Sequence, residues 1–168
     1  MILHDKEVFR TVIGSPLGPI EIRTDGQFVI SVTYQDHEGI TGERPCPVLE
    51  MAVAQLREYF TGKRKEFDIP VRPSGSVFEG KVWERVMEIP YGVTISYGTL
   101  AKRIGVPRSV RAVGRANGRN PVAIIIPCHR VVGANGSLTG YAGGLWRKEW
   151  LTRHEAAITG GIVQSTLF

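Results

Sequence analysis

Cys128 and His129 stand side by side near the end of the run Ile124-Ile125-Ile126-Pro127-Cys128-His129-Arg130-Val131-Val132. A thiol in that setting is either a small buried hydrophobe or a nucleophile, and only its thiolate attacks. A free thiol has a pKa of about 8.5, so a nucleophilic Cys128 needs something that favours the charged form. The chain's other cysteine, Cys46, is remote in sequence, and no CxxC or Cys/His ligand spacing occurs. Neither a zinc finger nor a disulfide scaffold is expected, and both residues read as free thiols.

Charge narrows the field of partners. Between Ile89 and Lys148 there is no Asp or Glu, but there are nine basic residues: Lys102, Arg103, Arg108, Arg111, Arg115, Arg119, Arg130, Arg147 and Lys148. The remainder has 12 basic against 16 acidic residues, although the whole chain of 168 residues is net +5. A basic window that also holds Cys128 implies a polyanionic partner, most simply nucleic acid; a solvated basic face would read the same way. At 42% hydrophobic and 22% charged, this is globular material, long enough for one domain or two small ones. No apolar run is long enough to cross a membrane. Met1 to Glu7 lacks the basic-then-apolar order of a signal peptide, so a cytoplasmic location is expected.

The elements that must position Cys128 follow from spacing. Val8 to Ile13, Ile20 to Thr24 and Phe28 to Tyr34 are β-rich runs broken by Ser15-Pro16-Leu17-Gly18-Pro19 and Asp25-Gly26, which predicts an antiparallel meander. After a loop over 35–47, Val48, Met51, Ala52, Leu56, Tyr59 and Phe60 recur at helical spacing as far as Thr61-Gly62. Phe67 to Val71 suggests a short edge strand, and Arg72-Pro73-Ser74-Gly75 a linker, giving domains over 1–75 and 76–168. Ser76-Val77-Phe78-Glu79 is a capping-box pattern opening a helix with Phe78, Val82, Val86 and Ile89 on one side and Trp83 and Met87 widening that face. Ser96 caps a helix over Tyr97 to Ile104 that stops at Gly105, and a second helix follows from about Arg108 to Asn117. This is helix-turn-helix spacing. Arg111, Arg115 and Arg119 share one side if that helix reaches so far, with Ala112, Gly114 and other small residues between them. Such residues suit a helix pressed into a duplex groove and equally suit helix packing. The glycines over 133–144 suggest a loop that walls a pocket, and Trp146 to Glu155 a last helix with Leu145, Trp150 and Leu151 inward.

Ile126-Pro127-Cys128-His129-Arg130-Val131 follows Arg111-Ala112-Val113-Gly114 and Asn120-Pro121, and precedes Gly140-Tyr141 and Lys148-Glu149-Trp150-Leu151 through Glu155. In this the chain resembles the O6-alkylguanine-DNA alkyltransferases, strongly over about 77–155. Ser15-Pro16-Leu17-Gly18 and the Leu56-Tyr59-Phe60 helix agree with the family's less distinctive first domain. The fold expected is α/β (α+β), a small antiparallel sheet with a helix followed by a mainly helical domain carrying the helix-turn-helix and the cysteine.

The resemblance implies that the Cys128 thiolate displaces an alkyl group from guanine O6 in duplex DNA, with O4-alkylthymine as a further candidate substrate. A water would join Cys128 to His129, itself oriented by Glu155; direct contact is disfavoured because neighbours in an extended segment point opposite ways. Tyr97 would donate to N3 of the departing base, and Arg111 would fill the stack after the base flips out. Arg108, Ala112, Gly114 and Arg115 would complete the DNA-binding face, docking in the minor groove. Asn120 would brace the active-site segment. Tyr141 and Pro127 would line the base pocket, with backbone groups of Cys128, Val131 and Ala142 reading the base edge. Ala142 stands where the family often has serine, so only a backbone role is implied there. The thioether product would make each molecule act once, as a monomer on DNA with cooperative binding left open, and without metal or cofactor. A non-catalytic lesion-binding protein of the same fold is the alternative, but such relatives lack the cysteine. A cysteine hydrolase would leave the basic window unexplained.

Overall fold

The structure, a computed structural model, describes residues 7–39, 44 and 46–160; part of the expected 35–47 loop and the tail from 161 lie outside them. The chain divides into two compact units, Met1–Pro73 and Ser74–Phe168.

In the first unit the runs expected to be strands form β1 (Phe9–Ile13), β2 (Ile20–Thr24) and β3 (Val29–Tyr34), an antiparallel sheet in that order. Period-two alternation buries Ile20, Ile22 and Thr24 of β2, while Glu21 and Arg23 pair at 2.6 Å on the other face. Gly18 and Gly26 adopt φ of 89°, the left-handed geometry that reverses the chain at each turn. Helix α1 (Pro47–Phe60) turns Leu49, Ala52, Leu56 and Tyr59 inward at i, i+3, i+7, i+10, and each of the two leucines contributes about 1.5–3 kcal/mol by its burial. The expected edge strand over Phe67 to Val71 is absent; Val71 makes a single parallel bridge to Val29. Pro70 has no N–H for a ladder, and buried Gln55 of α1 holds the segment instead, accepting from Asp68 N at 2.9 Å.

In the second unit α2 (Val77–Met87) carries the full capping box: Ser76 Oγ accepts from Glu79 N, and the Glu79 carboxylate accepts from Ser76 N. Val82, Trp83 and Val86 are buried, and Trp83 Nε1 donates to Ala116 O at 2.9 Å. Met87, expected on the apolar face, is 49% exposed; it is the last helical residue, and Ile89 takes the inward place beyond it. Strand β4 (Ile95–Ser96) leads directly into α3 (Tyr97–Ile104), where Ser96 Oγ caps Thr99 N and Gly105 at φ 86° ends the helix. Helix α4 (Val110–Gly118) completes the helix-turn-helix, two residues later at its start than its spacing suggested, and Arg119 falls at its C-cap. Strand β5 (Val131–Val132) pairs in parallel with β4, Ile95 opposite Val131. That short pairing fixes the start of α3 beside the Cys128 segment.

Helix α5 (Leu145–Thr159) is longer at both ends than expected. Leu145, expected inward, is 50% exposed because the buried stripe is Lys148, Leu151, Glu155 and Ala156. Two of those four are charged, so hydrophobic period alone misplaces the buried face of this helix.

Candidate active site

The segment that carries the thiol is not extended. Residues 122–127 pass through tight turns, with Ile126 N bonded to Val122 O at 3.0 Å and Cys128 N to Ile126 O at 2.8 Å. Cys128–Arg130 is a single turn of 3-10 helix. Ile124 has φ 72°, the one non-glycine residue in the left-handed region among the described residues. A β-branched residue held there costs on the order of 1–3 kcal/mol, and it persists because Ile124 is wholly buried among its neighbours. Asn120 holds the turn: its Nδ2 donates to Ile126 O at 2.8 Å and to Cys128 Sγ at 3.2 Å, and its Oδ1 accepts from Val122 N at 2.9 Å. Asn117 of α4 adds a bond from Nδ2 to Cys128 O at 3.2 Å.

Cys128 is buried, and burial pushes its thiol up from 9.0, against the opposing pull of the Asn120 hydrogen bond and the Lys148 charge. The resting group is therefore a thiol that needs a base to become a nucleophile. His129 is completely buried, with Nε2 2.7 Å from Glu155 Oε1. Burial also favours neutral His129, with Glu155 opposing and Arg130 and Lys148 reinforcing that preference.

Glu155 is the hub. Arg130 donates from Nε to Oε2 at 2.9 Å and from Nη2 to Oε1 at 3.0 Å, and Gly92 N donates to Oε2 at 3.0 Å. Burial opposes the carboxylate charge, but the charges and hydrogen bonds of His129 and Arg130 outweigh it and hold Glu155 far below the usual carboxylate range. An ionised carboxylate only accepts, so the proton between the pair belongs to His129 Nε2. That leaves Nδ1 as the basic nitrogen, and Nδ1 is buried with no hydrogen-bond partner among the described residues.

A second polar group lies at the mouth of the glycine-rich loop. Tyr97 Oη donates to Thr139 O at 2.9 Å, and wholly buried Lys148 donates from Nζ to Tyr97 Oη at 3.2 Å and to Thr139 O at 2.8 Å. Tyr97 is thus tied to both the loop and α5. Gly114 of α4 lies against the Tyr97 ring, where an added Cβ would sit 3.5 Å from Cδ1, and Gly118 lies toward Gly140 O. Val131 and Pro127 are buried, Tyr141 is half-buried and Ala142 exposed.

The basic window separates into two populations. Lys102, Arg103, Arg108, Arg111 and Arg115 are exposed on the helix-turn-helix, with Ala112 and Gly114 half-buried between the arginines. Val113, Ala116 and Asn117 form the inner face of α4. Arg130 and Lys148 are buried in the network around Cys128, and Arg119 pairs with Glu79 at 3.2 Å. Counting charge along the sequence could not separate these roles. The sequence does not single out Arg130, Lys148, Asn117 or the Gly92 amide for the site; the signals it offers are Arg130 next to His129 and Lys148 two helical turns from Glu155.

Comparison with known proteins bears on the whole chain. Residues 77–157 match the model of the 6-O-methylguanine DNA methyltransferase DNA-binding domain, and residues 8–73 match the ribonuclease-like domain of the same enzymes. The methylated-DNA–protein-cysteine methyltransferase of Methanosarcina acetivorans is 42% identical over 160 residues, covering 89% of this chain and 99% of that one. Its counterpart in Mycobacterium tuberculosis is 45% identical over 153 residues, covering 88% and 91%. The crystal structure of Mycobacterium tuberculosis OGT in complex with DNA superposes with a TM-score of 0.81 at 43% identity, covering 89% of this chain and 94% of that one. Matched in both halves, the chain belongs to the 6-O-methylguanine DNA methyltransferase family.

Proposed function

We propose that this protein repairs alkylated DNA by moving the alkyl group from guanine O6 to Cys128, once per molecule. The observation that carries the reading is the directed chain of buried groups. Glu155 fixes the proton on His129 Nε2, Nδ1 is left basic, and Asn120 holds the neighbouring thiol at 3.2 Å. The relatives' shared naming as methylated-DNA–protein-cysteine methyltransferases supports the same chemistry.

In the proposed step the Cys128 proton passes to His129 Nδ1 through one water. The sulfur then forms a bond to the alkyl carbon as the carbon–O6 bond breaks. The electron pair left on guanine is neutralised at N3 by the Tyr97 hydroxyl, which would exchange its Thr139 carbonyl for the base. Arg111, exposed on α4, would enter the stack vacated by the flipped base, at a site where extrusion costs a few kcal/mol. Arg108 and Arg115 would hold phosphates, and Ala112 and Gly114 would let the helix backbone approach the minor groove. Tyr141, Pro127, Val131 and Ala142 would enclose the base. A thioether offers these residues no group to expel, so the protein would be consumed stoichiometrically.

Intact-protein mass after incubation with a duplex containing O6-methylguanine tests this. The expected result is one added methyl, mapped to Cys128 and saturating at one per protein, with none on Cys128→Ser. Tight binding to the same duplex without a mass change would leave a lesion-binding protein and remove the chemistry.

A further inference from the structure

Arg130 is buried although it lies in a basic window, and its guanidinium is fully directed inward. Besides its two bonds to Glu155, Nη1 donates to Ile89 O at 2.6 Å, and the group lies 5.6 Å over the Tyr91 ring. The consequence concerns His129. A buried carboxylate facing an imidazole alone would draw a proton onto it, and an imidazolium cannot accept the thiol proton. We propose that Arg130 is a positioning residue that keeps His129 a proton acceptor: by sharing the Glu155 carboxylate, it prevents the imidazole from settling as a buried cation.

The other groups around His129 agree with this assignment. From α5 come Glu155 and the Lys148 ammonium, whose charge also disfavours an imidazolium. Tyr91 faces Glu155 from the segment before β4 and is pushed up to about 12 by burial and by that carboxylate, so it stays neutral. Cys128 is held as a thiol by burial. Helix α2, which packs against the same turn, buries Val82, Trp83 and Val86 and no ionisable side chain. Arg130 is bonded directly to Glu155, and the fixed fork of its guanidinium reaches both carboxylate oxygens where a lysine would reach one.

The kinetic part of the test rests on Cys128 being the alkyl acceptor; the spectroscopic part does not. Nitrogen-15 NMR of the imidazoles would be followed against pH in the parent protein, Arg130→Met and Arg130→Lys, alongside single-turnover methyl transfer. In the parent, His129 should be neutral at pH 7 with its proton on Nε2. In Arg130→Met the His129 titration and the acid limb of the rate should move up together, by about 1–3 pH units. Arg130→Lys should restore most of the parent profile. A parent His129 that is cationic at pH 7, or neutral with its proton on Nδ1, overturns the assignment without recourse to any variant. So do variants that lower the rate evenly at all pH while the titration stays put. The expected titrations in a protein that transfers no methyl would uphold Arg130's role and discard alkyl transfer instead.

Discussion

The two units bury different kinds of side chain. The first encloses Leu17, Ile20, Ile22, Val29, Leu56 and Tyr59, with Thr24 and Gln55 as the buried polar residues among those described. The second encloses an aliphatic core as well, but adds Asn117, His129, Arg130, Lys148 and Glu155. An aliphatic core gains from each group taken out of water, whereas a buried charge is tolerated only while its partners are in place. The first unit should therefore respond to lost volume and the second to lost partners.

Single truncations give the largest effects. Leu56→Ala should cost about 2–5 kcal/mol through a cavity, read by denaturant unfolding. Glu155→Ala should cost about 3–5 kcal/mol through an unpaired guanidinium and imidazole. The two are similar in size and differ in remedy. Adding Arg130→Met to Glu155→Leu should recover part of the second loss, because both members of the ion pair are then gone. The His129 Nε2–H, still unpaired at about 1–3 kcal/mol, limits the recovery. If the double variant were no more stable than Glu155→Leu alone, the unpaired guanidinium would not be what costs stability, and the contrast between the units would not hold.

A smaller effect comes from pH. Glu155 and His129 are both held below their ordinary values of 4.5 and 6.5, so the unfolded chain binds protons that the folded one refuses. Their stabilisation is complete above about pH 6.5 and is lost as pH falls, first by way of His129 and then, below 4.5, by way of Glu155. Cys128 and Tyr91 are raised above 9.0 and 10.0, so their contribution is complete below those values and is lost as pH rises through the folded-state ones. All three tryptophans, Trp83, Trp146 and Trp150, lie in the second unit, so tryptophan fluorescence reports its unfolding. Its midpoint should drop on both the acid and alkaline sides. A flat midpoint between pH 5 and 7 would remove His129 from the account.

The same contrast governs how much the sequence disclosed. Strands β1 to β3 and helix α1 were legible because period-two and helical spacing of apolar residues report directly on which side is buried. The capping box at Ser76 and the stop at Gly105 were legible because one backbone requirement selects one residue type. A resemblance pointed to Cys128, His129, Asn120 and Glu155, and the structure bonds Asn120 to Cys128 and His129 to Glu155, while periodicity alone misjudges α5, whose buried stripe includes Lys148 and Glu155. Nor does hydropathy report a left-handed Ile124, since the run Ile124-Ile125-Ile126 reads as an extended segment and folds as turns. Arg130 and Lys148 read only as members of the basic window because a lysine or arginine is seldom buried without a partner, and their partners Glu155 and Tyr97 are distant in sequence.

The smallest effect separates two arginines of one row. Arg115 and Arg119 are four residues apart and read alike in the sequence, yet Arg115 is exposed on α4, while Arg119, at its C-cap, pairs with Glu79 of the α2 capping box. Arg115→Ala should leave stability within about 0.5 kcal/mol of the parent, since no buried group depends on it. It should nevertheless weaken binding to any duplex and lower the salt slope of log K by about one phosphate. Arg119→Ala should leave that slope unchanged, because its guanidinium already serves a carboxylate of the same chain. Equal losses of slope would mean that the ion pair opens on DNA and that Arg119 belongs to the exposed population. A change for neither would move the duplex off this face of α4, onto the exposed Lys102 and Arg103 of α3.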